Sequence, residues 1–169
     1  MTNDELKDIW EELLDIYKGI LFNNCDFVDG VNEKIVYDFD CPQFSVLKEK
    51  YGLEKIAKQG NDFEKAINLM KHFAPRITHR GNFQNNVACN AVDLLEYCLD
   101  NPKNGINCLN KSKILQECCL ALGIYARRIW LMPYSPYDTD NHVVIEIYDF
   151  DLSKWIMLDM TSNGYFVNS

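Results

Sequence analysis

Cys108 closes the tetrapeptide Gly105-Ile106-Asn107-Cys108, and it heads a row of side chains at helical spacing. Cys108, Ser112, Leu115, Cys119 and Leu122 are separated by 4, 3, 4 and 3 residues, so they share one helix face with Cys108 at its N-terminal end. Gly123 follows, suited to the left-handed position that ends a helix. A thiol attacks a carbonyl only as a thiolate. The partial positive charge of a helix N-terminus and a neighbouring imidazolium are the two usual means of forming one. Position gives Cys108 the first.

His142, the one histidine beyond Cys108, offers the second. The runs HVVIEIY and KWIMLDM pair as a hairpin when its centre is placed between Phe150 and Asp151, so that facing residue numbers sum to 301. Tyr148 then faces Ser153, Val144 faces Met157 and His142 faces Asp159. Directly opposed residues have Cβ atoms about 4.5–5.5 Å apart, within reach of an imidazole–carboxylate hydrogen bond. A slip of one residue would turn Asp159 to the other face. Aspartate is disfavoured within strands, and a buried carboxylate among Met157, Leu158 and Met160 needs a partner, which His142 supplies.

The spacing predicts that these three residues form a Cys-His-Asp triad for acyl transfer. Cys108 is the nucleophile, His142 takes the thiol proton and returns it to the leaving amine, and Asp159 fixes the ring tautomer. The unsatisfied N–H groups at the start of the Cys108 helix face the developing oxyanion. A side-chain donor usually completes such a hole, and His79, Asn82 and Gln84 in the polar connection THRGNFQNN are the candidates.

The elements that must position this chemistry are helical first and extended later. Thr2 and Glu5 make a capping box before the stripe Leu6, Ile9, Trp10, Leu13, Tyr17, Ile20 and Leu21. KIVYDF is the strand-like run between Cys25 and Cys41, and Pro42 opens a helix around Leu47. Asn61 and Glu64 form a second capping box, ahead of Phe63, Ala66, Ile67, Met70 and Phe73, and Pro75 stops that helix. Asn90 caps a short helix that ends near Pro102. After Gly123 the period becomes that of strands in YARRIWLM, HVVIEIY and KWIMLDM. Helices followed by an antiparallel sheet predict an α+β fold, with the nucleophile helix packed on a C-terminal antiparallel sheet.

The helix-initial cysteine of GINC, the phrase LGIYARR, the histidine opening HVVIEIY and the aspartate of KWIMLD together resemble the catalytic core of the transglutaminase-like superfamily, thiol enzymes with a papain-like core. The resemblance covers residues 69–161, and it implies the same nucleophile, base and carboxylate at Cys108, His142 and Asp159. HRGNFQNNVACNAVDLL is similar to the segment that precedes the nucleophile in bacterial members, which implies a supporting role for His79 and Asn82. Two details depart from the common pattern. Gly105 lies three residues before the nucleophile rather than two, and DMT replaces DPT after the last strand. Members that remove glycans carry a Cys-x-x-Cys zinc element, which this chain lacks, and the family implies further sheet beyond NGYFVNS, so that the C-terminal sheet here would be truncated.

Composition bounds the remaining possibilities. At 169 residues, 47% of them hydrophobic, the chain suits a single domain, 1–169, with residues 1–60 as a helical N-terminal extension. A net charge of -8 argues against nucleic acid or an anionic membrane surface as partner, because both need clustered Lys and Arg. The acidic start, Met1 to Glu5, is unlike a secretory signal, so the chain reads as cytoplasmic. Seven cysteines, an odd number with no Cys-x-x-Cys pair, read as thiols in a reducing compartment, with no metal and no cofactor. Cys89, Cys98, Cys118 and Cys119 are expected as small core residues, His72 as a surface residue without a role, and Trp155 as packing. The function expected is a cysteine peptidase or amidase acting on a protein or peptide through a thioester. The alternatives are a transglutaminase-type transfer to an amine at the same site, or a protein-binding module that keeps the fold without turnover.

Overall fold

The computed structural model describes residues 13–15, 18, 35–133, 138 and 140–166. The chain divides into two compact units, Met1–Val36 with Pro133–Asp140, and Tyr37–Met132 with Asn141–Ser169. Of the amphipathic helix expected near the N-terminus, residues 13–15 and 18 fall within the description and are helical, with Lys18 Nζ 3.1 Å from Asp15. The rest of that helix, Cys25 and most of the PYSPYDTDN turn lie outside the described residues.

In the larger unit, helix α1 (Pro42–Tyr51) begins with proline, whose missing N–H costs nothing in a first turn, and ends at Gly52 with φ 63°. A one-turn helix α2 (Leu53–Ala57) follows, then α3 (Asp62–Phe73). Both halves of the capping box at α3 form: Glu64 N donates to Asn61 Oδ1 (2.9 Å), and Asn61 N donates to Glu64 Oε2 (3.1 Å). Pro75 sits in the 3-10 turn Ala74–Arg76 that terminates α3. Helix α4 (Ala91–Asp100) is capped by Asn90, whose side chain accepts from Asp93 N. The strand expected at KIVYDF is not formed: residues 35–40 have no ladder partner. Tyr37 and Phe39 instead place their rings edge-on to Tyr125 at 4.9 and 5.0 Å, so side-chain packing holds the segment that alternation alone suggested as a strand.

Helix α5 (Cys108–Ala121) is the hub of this unit. Helices α1, α3 and α4 pack on it, as do strands β3 (Ala126–Leu131) and β4 (His142–Asp149). Ile114, Leu115, Cys118 and Cys119 are fully buried, as are polar Asn110, Lys111 and Ser112, so α5 is enclosed on more faces than its apolar stripe indicates. Gly123 takes φ 78°, and Ile124 N returns to Cys119 O (3.0 Å) to close the helix.

The sheet is antiparallel in the order β3-β4-β5-β6, with β5 at Lys154–Asp159 and β6 at Gly164–Phe166. Ile145 and Ile147 of β4 join Ile156 and Leu158 of β5 in the core. The alternate residues meet on the opposite face, where the Arg127 guanidinium lies 4.0 Å from the Trp155 ring and 2.8 Å from Glu146. Trp155 is therefore a packing residue, as expected. A separate two-stranded parallel pair, β1 (Thr78–His79) with β2 (Gly105–Ile106), leads directly into α5. A side chain at Gly105 would come 3.0 Å from Thr78 O and 3.1 Å from Arg80 Cβ, so glycine is what lets these two strands approach.

The β4–β5 register differs from the expected one. Ile145 pairs with Leu158 and Tyr148 with Trp155, so facing numbers sum to 303 rather than 301. The turn is responsible: Asp149 joins the ladder opposite Lys154, its carboxylate accepts Leu152 N (2.8 Å), and Ser153 adopts φ 52° to complete the reversal. A displacement of two residues preserves the face of every side chain.

Candidate active site

Asn107 caps α5, its side chain accepting from Asn110 N at 3.1 Å, and Cys108 is the first helical residue. The cap satisfies the third N–H of the helix and leaves those of Cys108 and Leu109 at its open end. A cluster of asparagines fixes this end. Asn110 is buried and donates from Nδ2 to Asn85 Oδ1 (2.7 Å) and Asn107 Oδ1 (2.9 Å), while Asn107 Nδ2 donates to Asn85 Oδ1 (3.2 Å). Asn85 meets both from a left-handed backbone, φ 51°, which asparagine tolerates better than most residues.

One turn after Cys108, Ser112 Oγ donates to the carbonyl of Val143 at 2.6 Å, with both residues buried. Val143 follows His142, so this bond ties the helix that begins at Cys108 to the strand that carries the histidine. Cys108 itself is half-buried, and its Sγ makes no hydrogen bond among the described residues.

His142 Nε2 lies 3.0 Å from Asp159 Oδ2. Extending the observed register puts Val144 opposite Asp159, so His142 and Asp159 are diagonal rather than direct neighbours; they share a face because the register moved by two. Asp159 Oδ2 also accepts from Ser162 Oγ (2.8 Å), and Oδ1 accepts from Thr161 N (2.8 Å). Burial by itself raises this carboxyl, but the hydrogen bonds from His142, Ser162 and Thr161, with the imidazole charge, outweigh it and hold the group below its usual range. An ionised carboxylate only accepts, so Nε2 carries the hydrogen of this bond. Nδ1 of His142 is then the bare, basic nitrogen.

The parallel pair sets His79 opposite Ile106, two residues before Cys108, and Arg80 N donates to Ile106 O at 2.9 Å. Partial desolvation, then the charges of Lys111 and His142, lower the His79 ring, against an upward pull from Asp159. His79 is thus within electrostatic reach of the pair. Asn82 and Gln84 are exposed in the turn that follows, where Gln84 Nε2 donates to Asn82 O (3.3 Å), and among the described residues no hydrogen bond joins either to Cys108, His142 or Asp159.

Lys111 is a residue that composition and periodicity did not single out. It is 2% exposed, and its Nζ donates to the carbonyls of Ile77 (2.9 Å) and Ala74 (3.5 Å), pinning the segment before His79 to α5. Burial lowers its ammonium, and the charge of Asp159 partly restores it. The sequence offered no signal, since a lysine on a helix reads as solvent-facing. Ser162 and Asn85 were missed for a related reason: short polar residues in turns are common, and only the fold shows which of them meet.

The other cysteines divide as burial dictates. Burial pushes the Cys98 thiol up to about 11, against a small lowering by Lys111, and raises Cys118 and Cys119 further, so these three are inert packing groups. Cys89, expected in the core, is exposed. It lies in the irregular segment just before α4, where no element covers it.

The profile of the transglutaminase-like superfamily matches residues 49–160. The chain belongs to that superfamily. A crystal structure from Cytophaga hutchinsonii, described as a candidate cysteine protease, superposes with a TM-score of 0.56 at 19% identity, over 86% of this chain. This transglutaminase-like chain spans half the length of that protein, and at such identity the likeness is one of fold. No curated protein matches in sequence.

Proposed function

We propose that this protein is a thiol-dependent acyl-transfer enzyme, a hydrolase of peptide or isopeptide amides, in which Cys108 is the nucleophile, His142 the general base and Asp159 the orienting carboxylate. The observation that carries this reading is the 3.0 Å contact between His142 and an ionised Asp159, on the strand that Ser112 fastens to the Cys108 helix. With Nε2–H held by Asp159, Nδ1 takes the Cys108 proton as Sγ bonds to the substrate carbonyl carbon. The oxyanion so formed is met by the free N–H groups of Cys108 and Leu109 at the start of α5, where the helix dipole favours negative charge. Collapse breaks the C–N bond, the imidazolium gives its proton to the departing amine, and a thioester remains on Cys108. Water, deprotonated by His142, releases the acid.

His79, placed beside β2 and kept neutral by its surroundings, supplies a further polar contact to this shell; Asn82 takes part only through a substrate that reaches the exposed turn. The substrate is a protein or peptide, and no cofactor is required for these steps. Six described cysteines are all free thiols, which suits a reducing, cytoplasmic location. Among the described residues no helix is long and apolar enough to cross a membrane.

The test uses p-nitrophenyl acetate as a generic acyl donor, with intact-mass analysis of the protein and p-nitrophenolate release, with and without a primary amine. An acetyl adduct mapped to Cys108 that turns over in water supports the hydrolase. An adduct that resolves only onto the amine supports the transferase instead, and no adduct at Cys108 leaves a binding module of the same fold.

A further inference from the structure

A second concave site lies away from the triad, beside α2 and α3. It is a cavity of about 690 Å3, within the range of about 300–1,000 Å3 usual for small-molecule sites. Lys55, Lys58, Lys71 and Arg76 all line it, together with His72, and its walls carry no carboxylate. This runs against the background of a chain with net charge -8. Three lysines outside the cavity are answered: Lys50 by Glu96 (3.2 Å), Lys65 by Asp62 (4.0 Å) and Lys113 by Glu117 (2.9 Å). Among the described residues, Lys55, Lys58 and Lys71 have no acidic partner.

Local contacts shape the walls of this site, while its lysines extend from them as exposed side chains. Arg76 donates to the carbonyl of His72 one turn back, which holds its guanidinium at the cavity. Lys58 adopts φ 62° with ψ -169°, a conformation costly for a residue with a side chain. Tyr51 gives one wall an aromatic face, its ring packed edge-on against Phe73 and its hydroxyl on Val92 O. Four positive charges on exposed side chains exceed what a single carboxylate or phosphate would neutralise. Ammonium groups as point charges with one planar guanidinium are the donor set that phosphate oxygens accept from.

We propose that this cavity is a binding site for a small molecule carrying two or more phosphate groups, distinct from the triad. His72, which from the sequence had no role, becomes its reporter. Burial and the charge of Arg76 lower its ring, and a bound polyphosphate would reverse that pull.

Calorimetric titration of the whole chain with inorganic pyrophosphate, and separately with ATP, tests this at low ionic strength. The expected result is saturable one-to-one binding with a Kd of about 1 mM or tighter, weakened by added salt, with the His72 titration midpoint moving upward on binding in an NMR experiment. Tighter binding of ATP than of pyrophosphate would assign the Tyr51 wall to an organic moiety; equal binding would assign recognition to the phosphates alone. Lys71→Glu should weaken binding about tenfold or more, while Lys103→Glu, with the same change in net charge outside the cavity, should leave it within about twofold. Thermal melts of both variants establish that they fold. No saturable binding of either probe, equal loss in the two variants, or citrate binding as tightly as pyrophosphate would overturn the proposal.

Discussion

Asp159→Asn separates the chemical role of the carboxylate from its structural one. The wild-type group accepts three hydrogen bonds, from His142 Nε2 at 3.0 Å, Ser162 Oγ at 2.8 Å and Thr161 N at 2.8 Å. Asparagine keeps an oxygen for Thr161 N, and the Ser162 hydroxyl can rotate to accept from the new NH2. Both bonds lose their charge assistance, which is the difference between about 1.5–3 kcal/mol and about 1 kcal/mol each. The third bond inverts: an amide NH2 facing Nε2 requires a bare nitrogen there, so the ring proton moves to Nδ1. Relief of carboxylate burial offsets part of the loss, and the expected destabilisation is about 1–3 kcal/mol, less than the roughly 5–15 kcal/mol available to a domain of this size. The protein stays folded with the wrong tautomer. In catalytic triads that error costs about 10⁴ in rate, and the acylation of Cys108 by p-nitrophenyl acetate, corrected with Cys108→Ala for the other thiols, should fall by about 10³–10⁴. Urea unfolding supplies the stability and stopped-flow absorbance the rate. A variant that loses stability but acylates at the wild-type rate would refute the role assigned to Asp159.

Ser112→Ala leaves the Val143 carbonyl without its 2.6 Å donor; it should cost about 1–3 kcal/mol in urea unfolding and slow acylation, because the helix and the histidine strand are no longer fastened. Lys111→Met strands the Ile77 and Ala74 carbonyls for a similar cost of about 1–3 kcal/mol. It also removes the cation that lowers His79, so His79 should titrate at higher pH by NMR; an unchanged titration contradicts the assigned coupling. Stability should fall on acidification in two stages. His72 and His79 are held below 6.5, so the unfolded chain takes up protons first, and stability drops as pH falls below 6.5. Asp159 is held below 3.8, so its contribution is complete above 3.8 and is lost as pH falls through its lower folded value. The gap in unfolding free energy between wild type and Asp159→Asn should therefore close only in the second stage.

Helix caps were legible because they are local: Asn61 with Glu64, Asn90, and Gly123 each fix backbone within a few residues. The alternation of HVVIEIY and KWIMLDM gave the correct faces, and with them the meeting of His142 and Asp159. Their register was not legible, since it depends on how Asp149 and Ser153 build the turn, and no periodicity reports that. KIVYDF alternates like a strand yet is held by the ring of Tyr125, a contact between residues distant in sequence. Lys111 and the Asn85–Asn107–Asn110 cluster were invisible for the opposite reason. Their residue types mark surface and turns on average, and only the tertiary fold buries Lys111 and Asn110 and brings Asn85 to the start of the Cys108 helix.

The central claim is that Cys108 is an activated nucleophile and His142 its base. Iodoacetamide labelling rates for each cysteine, resolved by peptide mass spectrometry at about pH 6, test it directly. Cys98, Cys118 and Cys119 should remain unlabelled in the folded protein, Cys89 should be labelled because it is exposed, and half-buried Cys108 should react well ahead of it. That lead should vanish in His142→Ala. Labelling of Cys108 no faster than Cys89, or a lead that survives the loss of His142, would contradict the account.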